Sequence, residues 1–150
     1  MKVLVTGGSG FVGHRLRVHK PDWVYVSSGD YDLTSPTQTA LMYEEINPDA
    51  VVHLAGKVGG IKANNDRPAE FYYTNTMINT NVIHQASLCG VERVLASLST
   101  CTFPNIVAAY PLDEENILDG PPAPTNISYG FSKRSMLIQI NSYRKQYGLD

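Results

Sequence analysis

The stretch Thr6-Gly7-Gly8-Ser9-Gly10-Phe11-Val12-Gly13 constrains this chain more than any other. It satisfies both G-x-G-x-x-G, counted from Gly8, and G-x-x-G-x-x-G, counted from Gly7. Met1–Thr6 before it is a short β-branched run that reads as a buried strand, and Phe11 to about His19 after it reads as a short helix closed by Pro21. A strand, a glycine turn and a helix in that order have a specific chemical use. Glycine permits the tight turn and lets the backbone approach a pyrophosphate, and it brings helix and strand into close contact. The helix N-terminus then offers unpaired N–H groups and the positive end of its dipole to the phosphates. A glycine pattern alone is an ordinary turn; in this context it predicts a dinucleotide-binding loop formed by Gly7, Gly8, Ser9, Gly10, Phe11, Val12 and Gly13.

The rest of the chain continues the alternation. Trp23–Ser27 reads as a second strand, and Pro36–Ile46 as a helix that an Asp-Leu-Thr-Ser cluster could cap. Ala50–Ala55 is a third strand that ends in the loop Gly56–Gly60. Pro68 to about Cys89 is a long helix that stops at Gly90, Glu92–Leu98 is a fourth strand, and a Pro- and Gly-rich connection leads to a last helix over Ser128–Tyr147. Strands alternating with helices imply parallel pairing with right-handed crossovers: an α/β fold, Rossmann-like, with a doubly wound parallel sheet and helices on both faces. A length of 150 residues fits one domain with a real core, and 43 % hydrophobic against 17 % charged residues argues against disorder. A formal charge of −2 gives no footprint for nucleic acid or an anionic membrane. No apolar run approaches the roughly 18 residues of a membrane span, and no signal peptide precedes the glycines. Two cysteines, Cys89 and Cys101, exclude a disulfide framework and a four-thiolate zinc site, and His14, His19 and His84 show no metal-ligand spacing. A cytoplasmic protein with reduced thiols is the expectation.

Cofactor choice and chemistry are read from polar residues in particular places. NAD-preferring sites usually carry an acid at the end of the second strand for the ribose 2′-OH. Here the strand ends Val26-Ser27-Ser28-Gly29, with no acid until Asp30, which tilts the choice toward NADP although no Arg or Lys stands there. Asp32 and Leu33 are placed against the adenine, with a capping or turn role equally open for Asp32. In the last helix, Tyr129, Lys133, Met136, Ile140, Tyr143 and Tyr147 share one face by spacing. Lys133 on that stripe is either a lysine snorkelling to water or the partner of Tyr129 in Tyr-x-x-x-Lys. In the second case Lys133 holds the nicotinamide ribose and lowers the pKa of Tyr129, which donates a proton to a carbonyl oxygen receiving hydride. Phe71, Asn75, Ile78, Val82 and Ala86 share a face of the long helix. Asn75 either satisfies neighbouring backbone or orders the proton relay around Lys133. Ser99 stands at the ligand end of the fourth strand, where it can hydrogen-bond the substrate carbonyl, and Cys101 is either a small buried hydrophobe or a thiol near the sugar. His53, inside a strand, reads as structural.

The glycine loop with Ser99 and Tyr129-x-x-x-Lys133 resembles the extended short-chain dehydrogenase/reductases. Four segments narrow the resemblance: Leu54-Ala55-Gly56-Lys57-Val58-Gly59-Gly60-Ile61, Ser99-Thr100-Cys101, Gly120-Pro121-Pro122 and Thr125-Asn126-Ile127-Ser128-Tyr129. They are similar to the branch that converts GDP-4-keto-6-deoxy-D-mannose to GDP-L-fucose. The resemblance implies NADP(H) as cofactor, with Ala55, Gly56 and Asn75 on its binding surface beside the glycine loop. It implies Tyr129 as acid, Lys133 and Ser99 as its partners, and Cys101 as acid/base in epimerisation at C3 and C5. It also implies a homodimer through the two long helices. The family pairs the cysteine with a histidine beyond the Tyr-x-x-x-Lys helix and grips the GDP-sugar with a smaller C-terminal domain. Both are expected beyond Asp150, so residues 1–150 are expected to be an NADP-binding domain incomplete at its C-terminal end. The last expectation is an uncovered sheet edge beside the fourth strand.

Overall fold

The computed structural model describes residues 1–107 and 109–150. Four strands, β1 (Val3–Thr6), β2 (Val24–Val26), β3 (Ala50–His53) and β4 (Arg93–Ala96), form one parallel sheet in the order β2-β1-β3-β4. Every residue of β1 is buried, as a central strand covered on both faces must be. The helices are α1 (Phe11–His19), α2 (Pro36–Ile46), α3 (Ile61–Asp66), α4 (Pro68–Leu88) and α5 (Ile127–Tyr147). The chain steps from β1 to β2 in one direction and from β2 back across β1 to β3 in the other. With right-handed crossovers this places α1 on one face and α2 and α4 on the other, with the reversal at the C-terminal end of β1.

The α/β expectation stands, and each strand lies within the segment read from sequence. The short helix α3 lies in a segment the sequence reading gave to a loop and its surroundings. Local chemistry starts and ends the helices. Ser35 caps α2, its Oγ accepting from Gln38 N–H at 3.3 Å, and Pro36 supplies the first turn. Leu4, Val26, Met42, Tyr43, Val51, Val82 and Ala86 form the main core between sheet, α2 and α4. The buried Tyr43 hydroxyl finds a partner in Val82 O at 2.9 Å. Ile83, Met136 and Leu149 form a second cluster where α4 and α5 meet.

The β4 edge differs from the expectation. After α5 the chain returns to β4, where Val94 N–H donates to the backbone oxygen of Asp150 at 2.7 Å and Arg93 Nε meets the Asp150 carboxylate at 2.9 Å. Burying Leu149 against Ile83 and Met136 draws this segment in, so the edge is already engaged at one point. Leu95 remains 66 % exposed.

A buried polar chain ties the sheet to α4 and α5. Ala55 N–H donates to Thr6 Oγ1 at 3.3 Å, and Thr6 Oγ1 lies 2.7 Å from His53 Nδ1. His53 Nε2 lies 3.1 Å from Asn79 Oδ1, and Asn79 Nδ2 donates to Ser132 O at 3.3 Å. Because the Asn79 amide spends its N–H on Ser132, its oxygen must accept, which places the His53 proton on Nε2 and makes Nδ1 the acceptor for Thr6. The ring is therefore neutral and fully used, in keeping with its structural reading. Burial, helped by the charge of Lys133 and opposed by the Asn79 bond, pushes the His53 pKa down to about 4. In the unfolded chain it returns to about 6.5. Between these values the unfolded state binds more protons, so stability is lost as pH falls through that window. We expect about 2–3 kcal/mol of acid destabilisation from this ring between pH 7 and pH 4.5. Urea unfolding at the two pH values should show it, and His53→Gln should flatten the difference. An unchanged pH dependence in that variant would contradict the assignment.

Candidate active site

The glycine loop has the close contacts its sequence demands. Gly7 has a left-handed φ of 74°, and a Cβ there would lie 2.7 Å from Ala55 N, so the β1–α1 and β3–α3 loops touch backbone to backbone. A Cβ on Gly13 would lie 2.5 Å from Gly7 O and 2.8 Å from Gly8 Cα. Only hydrogen at Gly13 lets α1 approach the turn this closely, and Gly13 is the buried residue of that helix. Gly8 N–H is anchored to Val26 O at 2.8 Å, and Gly10 N–H to Gly7 O at 3.0 Å. No side chain caps α1. Its first N–H groups therefore face outward beside the exposed Ser9, Gly10, Phe11 and Val12. The loop has the close backbone packing and the uncapped helix N-terminus that a dinucleotide-binding turn requires.

At the end of β2 both nearby acids are already committed. Asp30 Oδ2 accepts from Ser27 N–H and Ser27 Oγ, each at 2.8 Å, and these bonds hold its pKa below the usual carboxylate range. Asp32 Oδ1 accepts from Thr34 N–H at 2.9 Å and Thr34 Oγ1 at 2.7 Å, with the same effect on its pKa. Asp32 thus takes the turn role left open by its sequence. The Leu33 side chain belongs to the core, and its carbonyl accepts from Asn81 Nδ2 at 3.0 Å, so the expected adenine surface does not include that side chain. A cation does approach this region, contrary to the reading of β2 alone. Arg17 of α1 stacks over Tyr25, 4.7 Å from the ring centroid, and its charge acts on Asp30.

Asn75 is fully buried and follows the simpler of its two readings. Its Oδ1 accepts from Lys57 N–H at 2.8 Å, and its Nδ2 donates to Lys57 O at 3.0 Å and Phe71 O at 2.8 Å. The amide brackets the loop after β3, where a Cβ on Gly56 would come within 3.0 Å of it, and its hydrogen bonds do not reach Lys133.

Tyr129 meets Ser99 and Cys101 at the start of α5, with Lys133 one turn further along the helix. Lys133, 3 % exposed, donates from Nζ to Ser97 O at 2.9 Å, and burial pushes its pKa down to about 8. Tyr129 is raised above its ordinary value by burial and then by the neighbouring Cys101, while a hydrogen bond with Ser99 pulls the other way. Here the structure differs from expectation. Lys133 gives one of its three N–H donors to a carbonyl, and burial rather than the lysine sets the direction of the Tyr129 shift, which keeps the hydroxyl protonated at neutral pH. Ser99 also opens the short 3₁₀ helix Thr100–Thr102, its Oγ accepting from Cys101 N–H at 3.2 Å.

Gly130 makes this meeting possible. A Cβ there would lie 2.6 Å from Cys101 O and 2.8 Å from Pro122 Cβ, so α5 begins directly against the cysteine turn. Arg134 Nε locks the other side of that turn through Thr102 O at 2.7 Å. Asn126 Nδ2 donates to Cys101 Sγ at 2.9 Å. Sequence reasoning assigned no role to Asn126 or Gly130. The available signal was the position of Asn126 three residues before Tyr129, which places both at the same end of α5.

A parallel sheet with a phosphate cradle at its strand reversal, and a Tyr-x-x-x-Lys helix beside Ser99, defines a Rossmann-type dinucleotide-binding domain of the extended short-chain dehydrogenase/reductase kind. The sequence profile of the NAD dependent epimerase/dehydratase family matches residues 3–150, and the chain belongs to that family. It is 39 % identical over 153 residues to a GDP-L-fucose synthase from Dictyostelium discoideum, an alignment covering 97 % of this chain and 48 % of that one. It is 38 % identical over 154 residues to a Drosophila melanogaster protein named "Probable GDP-L-fucose synthase", covering 98 % and 48 %. A crystal structure of a GDP-L-fucose synthetase from Naegleria fowleri bound to NADP superposes with a TM-score of 0.86 at 31 % identity, over 96 % of this chain and 48 % of that one. The chain spans about half the length of the curated relatives it matches.

Proposed function

We propose that this chain is the cofactor-binding part of an NADPH-dependent epimerase/reductase that converts GDP-4-keto-6-deoxy-D-mannose to GDP-L-fucose. The observation that carries the reading is Cys101 beside Tyr129. A simple C4 reductase needs the tyrosine but has no use for a thiol next to it, whereas a 3,5-epimerase needs a group that takes and returns protons. The names carried by its relatives support the same substrate.

The glycine loop Gly7–Gly13 fits the pyrophosphate of a dinucleotide, with Ala55 and Gly56 alongside and Lys133 placed for the nicotinamide ribose. When bound, the dinucleotide supplies the hydride that reduces C4. No acid stands on β2 itself, and the nearest, Asp30, is turned back onto Ser27 through Oδ2, which favours NADP(H). The C4 ketone of the sugar acidifies the protons on C3 and C5. Cys101 and its partner histidine exchange them through an enol, one taking the proton from one face and the other delivering a proton to the opposite face. Tyr129 gives its proton to O4, and Ser99 hydrogen-bonds that oxygen. The grip on GDP and the histidine paired with Cys101 come from residues outside these 150, and the assembly is a homodimer through α4 and α5.

The test is turnover by the full-length protein with NADPH, comparing GDP-4-keto-6-deoxy-D-mannose with UDP-linked 4-keto-6-deoxy sugars. Oxidation of NADPH with the GDP sugar, with solvent deuterium entering C3 and C5, is expected. Turnover restricted to UDP sugars, or reduction without exchange at either carbon, would overturn the reading.

A further inference from the structure

We propose that Asn126 is the positioning residue for the Cys101 sulfur: its side-chain amide aims the sulfur and favours the anionic form that takes protons from the substrate. The inference rests on the epimerase reading above and assigns a role to a side chain outside the Ser99, Tyr129, Lys133 set. Four observations carry it. Asn126 immediately precedes α5, at the position where an asparagine usually caps the helix by accepting from a backbone N–H two or three residues on. It makes no such bond. Its Nδ2 donates to Cys101 Sγ at 2.9 Å. Its Oδ1 is buried with no hydrogen-bond partner, so the amide is oriented toward the sulfur at the expense of both its own oxygen and the helix end. The backbone of the cysteine turn is fixed independently, by Ser99 on Cys101 N–H, by Arg134 on Thr102 O, and by the close approach of Gly130. What Asn126 contributes is therefore specific to the sulfur.

The chemistry follows from donor and acceptor roles. A thiolate accepts hydrogen bonds better than a thiol, so an N–H aimed at Sγ favours the deprotonated state. In that state Cys101 can take the C3 or C5 proton, becoming a thiol as the electron pair of the C–H bond moves into the enolate. The amide can rotate about its last torsion so that Oδ1 accepts from the new S–H, which gives that oxygen a partner. The thiol proton exchanges with water, while the paired acid on the other side of the sugar delivers a proton to the opposite face of the carbon.

The test reads the sulfur without needing turnover. In the full-length protein, iodoacetamide labelling of Cys101, followed by mass spectrometry of its peptide, should slow about tenfold at pH 7.5 in Asn126→Ala, with the rate-versus-pH curve moved to higher pH. Asn126→Asp is nearly the same size but puts a negative carboxylate against the sulfur, and it should slow labelling further. NADPH binding, measured by fluorescence, should stay within about twofold in both. Should the Ala variant unfold, the Asp variant decides. Labelling rates and pH curves matching the unsubstituted protein in a folded variant would overturn the proposal, as would failure of the Asn126 side-chain amide resonances to move when Cys101 is alkylated. Failure of the underlying reading looks different: labelling would shift as stated, while deuterium exchange into the sugar would be absent even in the unsubstituted protein.

Discussion

Tyr129→Phe is expected to cut NADPH oxidation by about 10²–10⁴-fold while leaving solvent-deuterium exchange at C3 and C5 of the keto sugar intact. The asymmetry comes from where the hydroxyl sits. In the proposed reaction Tyr129 serves the C4 oxygen, where reduction needs a proton as the carbonyl becomes an alcohol, and proton exchange at C3 and C5 is assigned to Cys101. Burial holds the tyrosine neutral, with the Cys101 neighbour acting in the same direction, so the proton to be donated is present throughout the neutral range. Phenylalanine keeps the ring, and what is lost is the O–H alone. Binding of NADPH by the variant should be little changed, because the glycine loop is built from β1 and α1 and does not depend on the Tyr129 hydroxyl. Stopped-flow absorbance of NADPH and NMR of the exchanged sugar separate the two activities. Oxidation near the unsubstituted rate would remove Tyr129 from the proton-donor role.

The parts of this molecule legible in the sequence are those fixed by backbone geometry. Gly7 and Gly13 could be read because no other residue tolerates the contacts with Ala55 N and Gly7 O, and a requirement that strict leaves a spacing pattern. The parallel sheet followed from alternating strand and helix segments, whose apolar periods survive without knowledge of neighbours. The fates of individual polar side chains were not legible. Asp32 could have lain against the adenine, yet its Oδ1, like Oδ2 of Asp30, is turned onto a serine or threonine two or three residues away. Asn75 could have faced the proton relay. It faces Lys57 because the loop after β3 folds back over α4, which no local pattern announces. Arg17 is remote in sequence from the end of β2 and reaches its neighbourhood only because α1 packs antiparallel to the strand. α3 was missed for a related reason. Six residues flanked by Gly60 and Arg67 carry too little apolar period to read as a helix, and the buried Asn64, donating to Gly59 O at 2.9 Å and Gly60 O at 3.2 Å, holds its first turn instead.

Cys101→Ser is expected to produce the opposite dissection, lowering deuterium exchange at C3 and C5 by about 10²–10⁴-fold with NADPH binding retained. A serine oxygen fits where the sulfur stood, and the turn around it is held by contacts that do not involve the side chain: Ser99 Oγ on the residue 101 N–H, Thr102 Oγ1 on Ser99 O at 2.6 Å, and Arg134 on Thr102 O. The fold and the placement of Ser99 and Tyr129 should therefore persist. The acidity changes, because an alcohol gives up its proton far less readily than a thiol and cannot serve as the exchanging group near neutral pH. Reduction should continue on the unepimerised ketone, since Tyr129 and Lys133 are untouched, and the product should be a GDP-6-deoxyhexose with the configuration of its substrate at C3 and C5. That product distinguishes the proposed mechanism from a role for Cys101 in packing alone. Were the serine variant to exchange deuterium at the unsubstituted rate and yield the epimerised sugar, the proton-carrying group would lie elsewhere, and Cys101 would be a small apolar residue filling the gap between Pro122 and the first turn of α5.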